Sequence, residues 1–415
     1  MKPKEIGPAV EDELKSVRFI DVHTHLFKPS LDRLGLWGID DLLTYHYLEA
    51  ELFRSSSMTP DEYWLLSKEK KADTIWQALF VENPPVSEAT RGVVAVLDAL
   101  GLPKATRDLK EARDFFAAQN LEQHIDRVFE LAGISEAVMT NDPLDPVESA
   151  LWLKHPEEDP RFHAALRIDR IVAEWPARWN NSISELRRFL RDWCDRMKPV
   201  YLAVSLTDSF TYPGEDSSHS TALKDAILPA CREFDIPLSL MIGVRRQVNP
   251  AIRLAGDAVG KADLRSLEYL CREFPHNRFL VSVLSRENQH ELCVYARKFS
   301  NLMPFGCWWF LNNPSIVEEI TRERIEMLGW SFIPQHSDAR ILEQVIYKWR
   351  NTRRTLTPIL ANTYRLLVED GGSITSEQIR QDVQRLFRTN FENFSRVLSA
   401  GLRHTSGDQA IAAPS

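Results

Sequence analysis

His23 and His25 stand two residues apart at the end of an apolar run, Phe19-Ile20-Asp21-Val22-His23-Thr24-His25-Leu26. On a strand, successive side chains point to opposite faces, so the two imidazoles point the same way. Two imidazoles on one face make half of a metal site, which a carboxylate or a third nitrogen from elsewhere would complete. The other reading is a buried, hydrogen-bonded histidine beside an incidental one. The motif lies early in the chain, with Asp21 before it and the irregular Lys28-Pro29-Ser30 loop after it, and this context favours chemistry.

The carboxylate that could complete such a site is Asp338, in His336-Ser337-Asp338-Ala339-Arg340. It can ligate a metal with the histidine pair or act as a base beside it. It can equally cap a helix that starts at Ala339. Arg340 could bind a carboxylate or polarise a carbonyl, or lie on the surface of a helix's first turn. Arg167 and Arg245 each follow an apolar stretch and could clamp a substrate carboxylate; single arginines of this kind are often ion-pair partners instead. In Tyr45-His46-Tyr47 the aromatic stripe reads as core, or as a set of proton donors facing a cleft. Trp308-Trp309 suits one ring in the core and one lining a pocket.

Residues so far apart need a scaffold that gathers them. Apolar stretches that read as strands lie at Phe19–Leu26, Ile134–Thr140, Phe162–Ile168, Val200–Leu206, Pro237–Val244, Phe279–Leu284, Leu302–Phe310 and Ser331–Gln335. Helical patterns separate most of the later ones, as at Ser184–Arg196, Thr221–Phe234, Asp263–Phe274 and Glu287–Phe299. Eight strands alternating with helices predict a (β/α)8 TIM barrel, an α/β fold whose chemistry sits at the C-terminal ends of its strands. Those ends carry Asn141 and Asp142, Arg167 and Asp169, Ser205 and Asp208, Arg245, Arg246 and Asn249, Ser285, Arg286 and Asn288, and the two tryptophans.

Residues 1–18 form a polar lead-in with a helix from about Val10 to Val17. Residues 19–400 form one catalytic domain. Within it, residues 40–132 are a helical insertion between the first two strands, with Thr59-Pro60-Asp61-Glu62 as a helix start and a helix at Val86–Leu100. Helices at Ala339–Glu369 and Ser376–Ala400 follow the last strand, and residues 401–415 read as a disordered tail.

A hydrophobic content of 44% and a charged content of 27% are those of a soluble globular chain with a large core. The net charge of −8 argues against nucleic acid or an anionic membrane surface as partner. Five scattered cysteines without a Cys-x-x-Cys pair suggest free thiols in a reducing compartment. With no apolar signal segment and no stretch long enough to span a bilayer, a cytoplasmic protein is expected. The oligomeric state is open, a homo-oligomer included.

The motifs together resemble the uronate isomerases (glucuronate/galacturonate isomerase) of the amidohydrolase superfamily, over nearly the whole chain. The matching stretches are Asp21 to Leu26, Leu43 to Tyr47, Thr140 to Pro143, Ala165-Leu166-Arg167, Phe305 to Phe310 and His336 to Arg340. The resemblance implies an amidohydrolase-type barrel that interconverts D-glucuronate with D-fructuronate and D-galacturonate with D-tagaturonate. It implies His23, His25 and Asp338 around a divalent metal, zinc in most members. It also implies substrate contacts from His46, Tyr47, Arg167, Trp308 and Arg340. One stretch departs from the superfamily pattern. The fifth strand reads Leu240-Met241-Ile242-Gly243 where many members have a histidine, and no carboxylated lysine is in view. The expected site is therefore sparse, two histidines and one aspartate completed by water or substrate.

On this reading Asp338 is the base that moves a proton between C2 and C1, Tyr47 and Arg340 stabilise the enediol oxygens, and the partner is a small-molecule uronate. A metal-dependent hydrolase or non-oxidative decarboxylase would use the same histidines and Asp338 to activate water. The missing histidine and the tryptophan-rich and His336–Arg340 stretches argue against it. A catalytically silent binding protein on the same scaffold is the third reading.

Overall fold

The computed structural model describes residues 1–104, 106–214 and 217–395. Its centre is a sheet of β1 (Phe19–Thr24), β2 (Ile134–Asn141), β3 (Phe162–Arg167), β4 (Leu202–Thr207), β5 (Leu238–Arg245), β6 (Ala258–Val259), β7 (Phe279–Val283) and β8 (Leu302–Pro304). The path β1-β2-β3-β4-β5-β7-β8 is parallel throughout, and the two-residue β6 pairs antiparallel with β5. Helices such as Pro146–Lys154, Ile183–Met197 and Gln289–Ala296 lie between consecutive strands. This is the layered α/β arrangement that alternating strands and helices imply.

Two of the expected strands are shorter than their apolar sequence suggests. Leu302–Phe310 is extended only to Pro304, whose ring removes a ladder donor, and Trp309–Leu311 is a 3-10 turn. Ser331–Gln335 contributes a single parallel bridge, Phe305 to Ile333, before Pro334 ends the pairing. Backbone hydrogen bonds then tie this last segment to β1. Asp338 N–H donates to the His23 carbonyl at 3.1 Å, and His25 N–H donates to the Ala339 carbonyl at 2.7 Å.

Ile20 and Val22 of β1 pack with Val138, Ala165, Tyr201, Ala203, Leu280, Phe305 and Ile333 in a cluster separate from the main core. Phe391, from the helix Asn390–Ser395, joins that cluster. Phe19 packs instead in the larger core with Trp349 and Phe387. The lead-in helix is longer than expected, Pro3–Ser16.

The insertion is helical as expected, from Ile39–Leu43 to Leu121–Ala132, and Thr59 and Glu62 form the anticipated capping box. A buried pair anchors it to the chain beyond Asp338. His124 Nε2 lies 2.7 Å from Glu343 Oε1, and Glu343 Oε2 accepts the Gly38 N–H at 3.1 Å. The helix expected from Ala339 begins five residues later, at Gln344, and runs to Glu369. The last helix, capped at Thr375, is described to Ser395; the expected tail at 401–415 lies outside the described residues. Among the described residues no helix is long and apolar enough to cross a membrane.

Candidate active site

The β1 register against β2 shifts between Asp21 and Thr24. The shift separates two jobs within one strand. Asp21 is buried and accepts from Ser337 N–H at 2.9 Å and from the Trp349 indole at 2.8 Å, so it staples β1 to the segment carrying Asp338. Burial pushes its carboxyl up to about 6, against the pull of those donors. His23 and His25 both face the cleft, as their spacing requires, and their Nε2 atoms lie 3.6 and 3.4 Å from one oxygen, Asp338 Oδ1.

Neighbouring hydroxyls fix which nitrogen of each ring carries hydrogen. Tyr201 donates its one proton to the Val22 carbonyl at 2.9 Å and sits 3.0 Å from His23 Nδ1. Thr140 donates to the Thr24 carbonyl at 3.0 Å and sits 2.9 Å from His25 Nδ1. Each hydroxyl can then only accept from its imidazole, so Nδ1 carries hydrogen and Nε2 presents a lone pair. Burial keeps both rings neutral. It lowers His23 to about 3 and His25 well below the usual histidine value.

Three lone-pair atoms therefore converge with no hydrogen between them, and Asp338 Oδ1 is buried without a hydrogen-bond partner. All three lie within 4.8 Å of one another, a grouping that fits a cation. Ligands ~2.0–2.1 Å from a tetrahedral ion lie roughly 3.3–3.4 Å apart, close to the separations seen here.

Asp338 has φ of 52°, a left-handed conformation that aspartate tolerates better than most residues. It caps nothing: the following helix starts at Gln344, and the Gln344 side chain accepts the backbone N–H groups of Arg340 and Ile341. The capping alternative for Asp338 is thereby excluded. Arg340 turns into the cleft, and its charge helps to hold His25 and His46 neutral, after burial.

Arg167 lines the same cleft, oriented by Asp169 at 3.3 Å; Asp169 also accepts the Ser205 N–H at 3.2 Å. His46 begins the helix His46–Ser55 and reaches the cleft with Nε2 buried and unpartnered. Trp308 and Trp309 line it too, and the Trp309 indole N–H is buried without a partner. Tyr47 packs against this aromatic cluster behind the lining. Burial, with Tyr45 and the nearby Asp338 charge, raises its phenol well above the ordinary value, so it stays protonated.

Arg245 is not brought to the cleft. Its guanidinium is exposed and 4.0 Å from Asp208, while Arg246, paired with Asp257 at 2.7 Å, lines the cleft instead. The cause is Gly243, with φ of +120°, which interrupts the alternation: Met241 and Val244 end up in one cluster, and the residues beyond exchange faces. Tyr45 was also missed. Its phenol lies in the fields of Arg340 and Asp338, and its ring meets that of Tyr47 edge-on at 4.9 Å. Its signal is the aromatic run itself, of which only His46 and Tyr47 are expected as substrate contacts.

Glu148 sits under this rim and accepts the Asp142 N–H at 2.8 Å. Burial pushes its carboxyl up to about 7. The folded state then binds more protons than the unfolded state between about pH 4.5 and 7, so this group's contribution to stability is full below that window and is lost as pH rises through it. Glu148→Gln keeps an acceptor for Asp142 and is expected to show a smaller fall of Tm between pH 5 and 8 than the native chain. Parallel Tm profiles for the two proteins would contradict this.

The chain is similar to a uronate isomerase from Bacillus halodurans, at 46% identity over 95% of this chain and 97% of that one, with a TM-score of 0.92. Two more distant structures share the fold. A uronate isomerase from Thermotoga maritima is 16% identical over 94% and 97% of the two chains, with a TM-score of 0.70. A glucuronate isomerase from Caulobacter crescentus is 13% identical over 95% and 94%, with a TM-score of 0.72. No family model matches the chain, and no curated protein compared with it matches either.

Proposed function

The chain belongs to the uronate isomerases, and from that premise we propose that it interconverts D-glucuronate with D-fructuronate and D-galacturonate with D-tagaturonate. The observation that carries the chemistry is the unpartnered Asp338 Oδ1, held between two neutral histidines and beside an inward-facing arginine.

Moving the carbonyl from C1 to C2 removes a proton from C2 and returns one to C1. Asp338 takes the C2 proton, and the electron pair left behind forms the C1–C2 double bond of a cis-enediol as O1 gains a proton. The proton that O1 gains is the one that O2 gives up as the C2 carbonyl forms, and Tyr47, kept protonated by burial behind the cleft lining, supports the aromatic wall beside these oxygens. Asp338 then returns its proton to C1 on the same face. Arg340 balances the negative charge that passes between the two oxygens. Arg167 holds the substrate carboxylate, and His46 and Trp308 contact the hydroxyls. His23, His25 and Asp338 would hold a divalent ion, zinc by donor type and spacing, which would supply a Lewis acid for substrate oxygen and so make the C–H more acidic.

This reading includes a barrel closed through the bonds between Asp338, Ala339 and β1, and a cytoplasmic setting in keeping with five free, buried cysteines. The hydrolase alternative would use the same three residues, and the 46% identity to a uronate isomerase is what favours isomerisation over it.

Incubating the protein with D-glucuronate and with D-galacturonate tests the function. Ketouronate should form from at least one of them; none from either would remove the isomerase reading. Arg167→Met should raise KM for uronates by ~10–100-fold, since a charge-assisted contact contributes ~1.5–3 kcal/mol. An unchanged kcat/KM would take Arg167 off the substrate. Tyr201→Phe releases the Nδ1 hydrogen bond of His23, and loss of such an outer partner is expected to weaken metal affinity ~10–100-fold. Chelator competition on the two proteins measures it, and equal affinities would contradict the tautomer argument.

A further inference from the structure

Against the helix Gln344–Glu369, whose first residue anchors Arg340, a second helix, Glu88–Leu100, packs closely. Gly92 permits the approach: a Cβ there would meet the Tyr347 ring at 2.8 Å. Beside the crossing the helices leave a cleft of about 330 Å³, within the ~300–1,000 Å³ typical of small-molecule sites. Arg91, Arg350, Arg354 and Lys104 line it, facing one carboxylate, Asp98. Lys104 and Arg350 share that carboxylate, at 2.5 and 3.6 Å. Among the described side-chain contacts the Arg354 guanidinium bonds only the Asn351 side chain, at 2.8 Å, and the Arg91 guanidinium makes no hydrogen bond or ion pair.

We propose that this cleft is a binding site for a small phosphate-bearing anion, separate from the active site. Two guanidinium groups without a carboxylate suit the fork geometry of a phosphate dianion, and a monocarboxylate would leave the surplus charge unmatched. The one ring in the lining, Tyr347, is only 3% exposed, so no platform exists to stack a nucleobase. The ligand is inorganic phosphate or a sugar phosphate. Bound there, it bridges the insertion to the helix whose first residue holds the Arg340 backbone, reinforcing the Lys348–Glu88 pair that already joins the two helices at 3.4 Å.

The test is calorimetric titration and thermal shift of the whole protein in a phosphate-free buffer at constant ionic strength. The probes are inorganic phosphate, glucose 6-phosphate and, as a monoanion control, acetate. The proposal expects saturable binding of a phosphate probe that exceeds acetate, is lost at least ~10-fold in Arg91→Gln/Arg354→Gln, and survives Arg340→Met. Tighter binding of glucose 6-phosphate than of phosphate identifies a phosphorylated metabolite as the source, and equal binding identifies free phosphate. No saturable binding, equal binding of acetate, or loss in Arg340→Met with retention in the double variant would overturn it. Should the double variant fold poorly, phosphate protection of Arg91 and Arg354 from phenylglyoxal in the native protein decides the matter; unprotected arginines overturn the proposal.

Discussion

Asp338→Asn should fold as the native chain does and lose ~10²–10⁴-fold in kcat, the usual contribution of a positioned general base. The bonds that Asp338 contributes to the fold are made by its backbone, whose N–H reaches the His23 carbonyl. Its Oδ1 accepts no hydrogen bond, so the amide removes none there. Asparagine also accepts the left-handed φ of 52° at least as readily as aspartate. What the substitution removes is a carboxylate that can carry a proton between two carbons. Because the same oxygen faces both histidines, metal content must be measured with the rate. A variant that keeps its metal and still loses turnover isolates the base. Near-native kcat in a metal-replete variant would leave Asp338 no role in proton transfer.

Arg340→Met carries the next largest expectation, a fall in kcat/KM of ~10²–10³-fold by loss of one preorganised charge from the developing oxyanion. The backbone of Arg340 is fixed by Gln344, and its guanidinium lines the cleft. Its field acts, after burial, on His25, His46 and Tyr45. Arg340→Lys restores a charge but not the planar fork, so recovery should be partial. Unchanged kcat/KM in Arg340→Met would mean that the enediol oxygens are stabilised elsewhere.

The pair at His23 and His25 was legible because alternation along a strand is local, and the residues that matter are two apart. Asp338 was legible as the carboxylate at the far end of the chain. Its freedom from a capping role was not, since that depends on where the next helix starts, and Gln344 decides it through its side chain. Local alternation misled at β5. Gly243 is a single residue whose positive φ exchanges the faces of Arg245 and Arg246, and composition alone does not announce it. The short β8 and the single bridge at Ile333 have a similar origin. Their apolar residues are buried, but Pro304 and Pro334 withhold the donors a ladder needs. Tyr201 gave no sequence signal, because its partner His23 lies 178 residues away. The caps at Thr59 and Thr375 were readable because hydroxyl and acceptor lie three residues apart.

The most direct test of proton transfer by Asp338 is the fate of hydrogen at C2. D-glucuronate carrying deuterium at C2 is converted in ordinary water, and the D-fructuronate is examined at C1 by NMR. One carboxylate working on one face should deliver part of the label to C1 and lose the rest to solvent. Asp338→Asn should slow both the transfer and the loss together. Complete retention of the label at C1, with an Asp338→Asn protein that turns over at the native rate, would contradict the account.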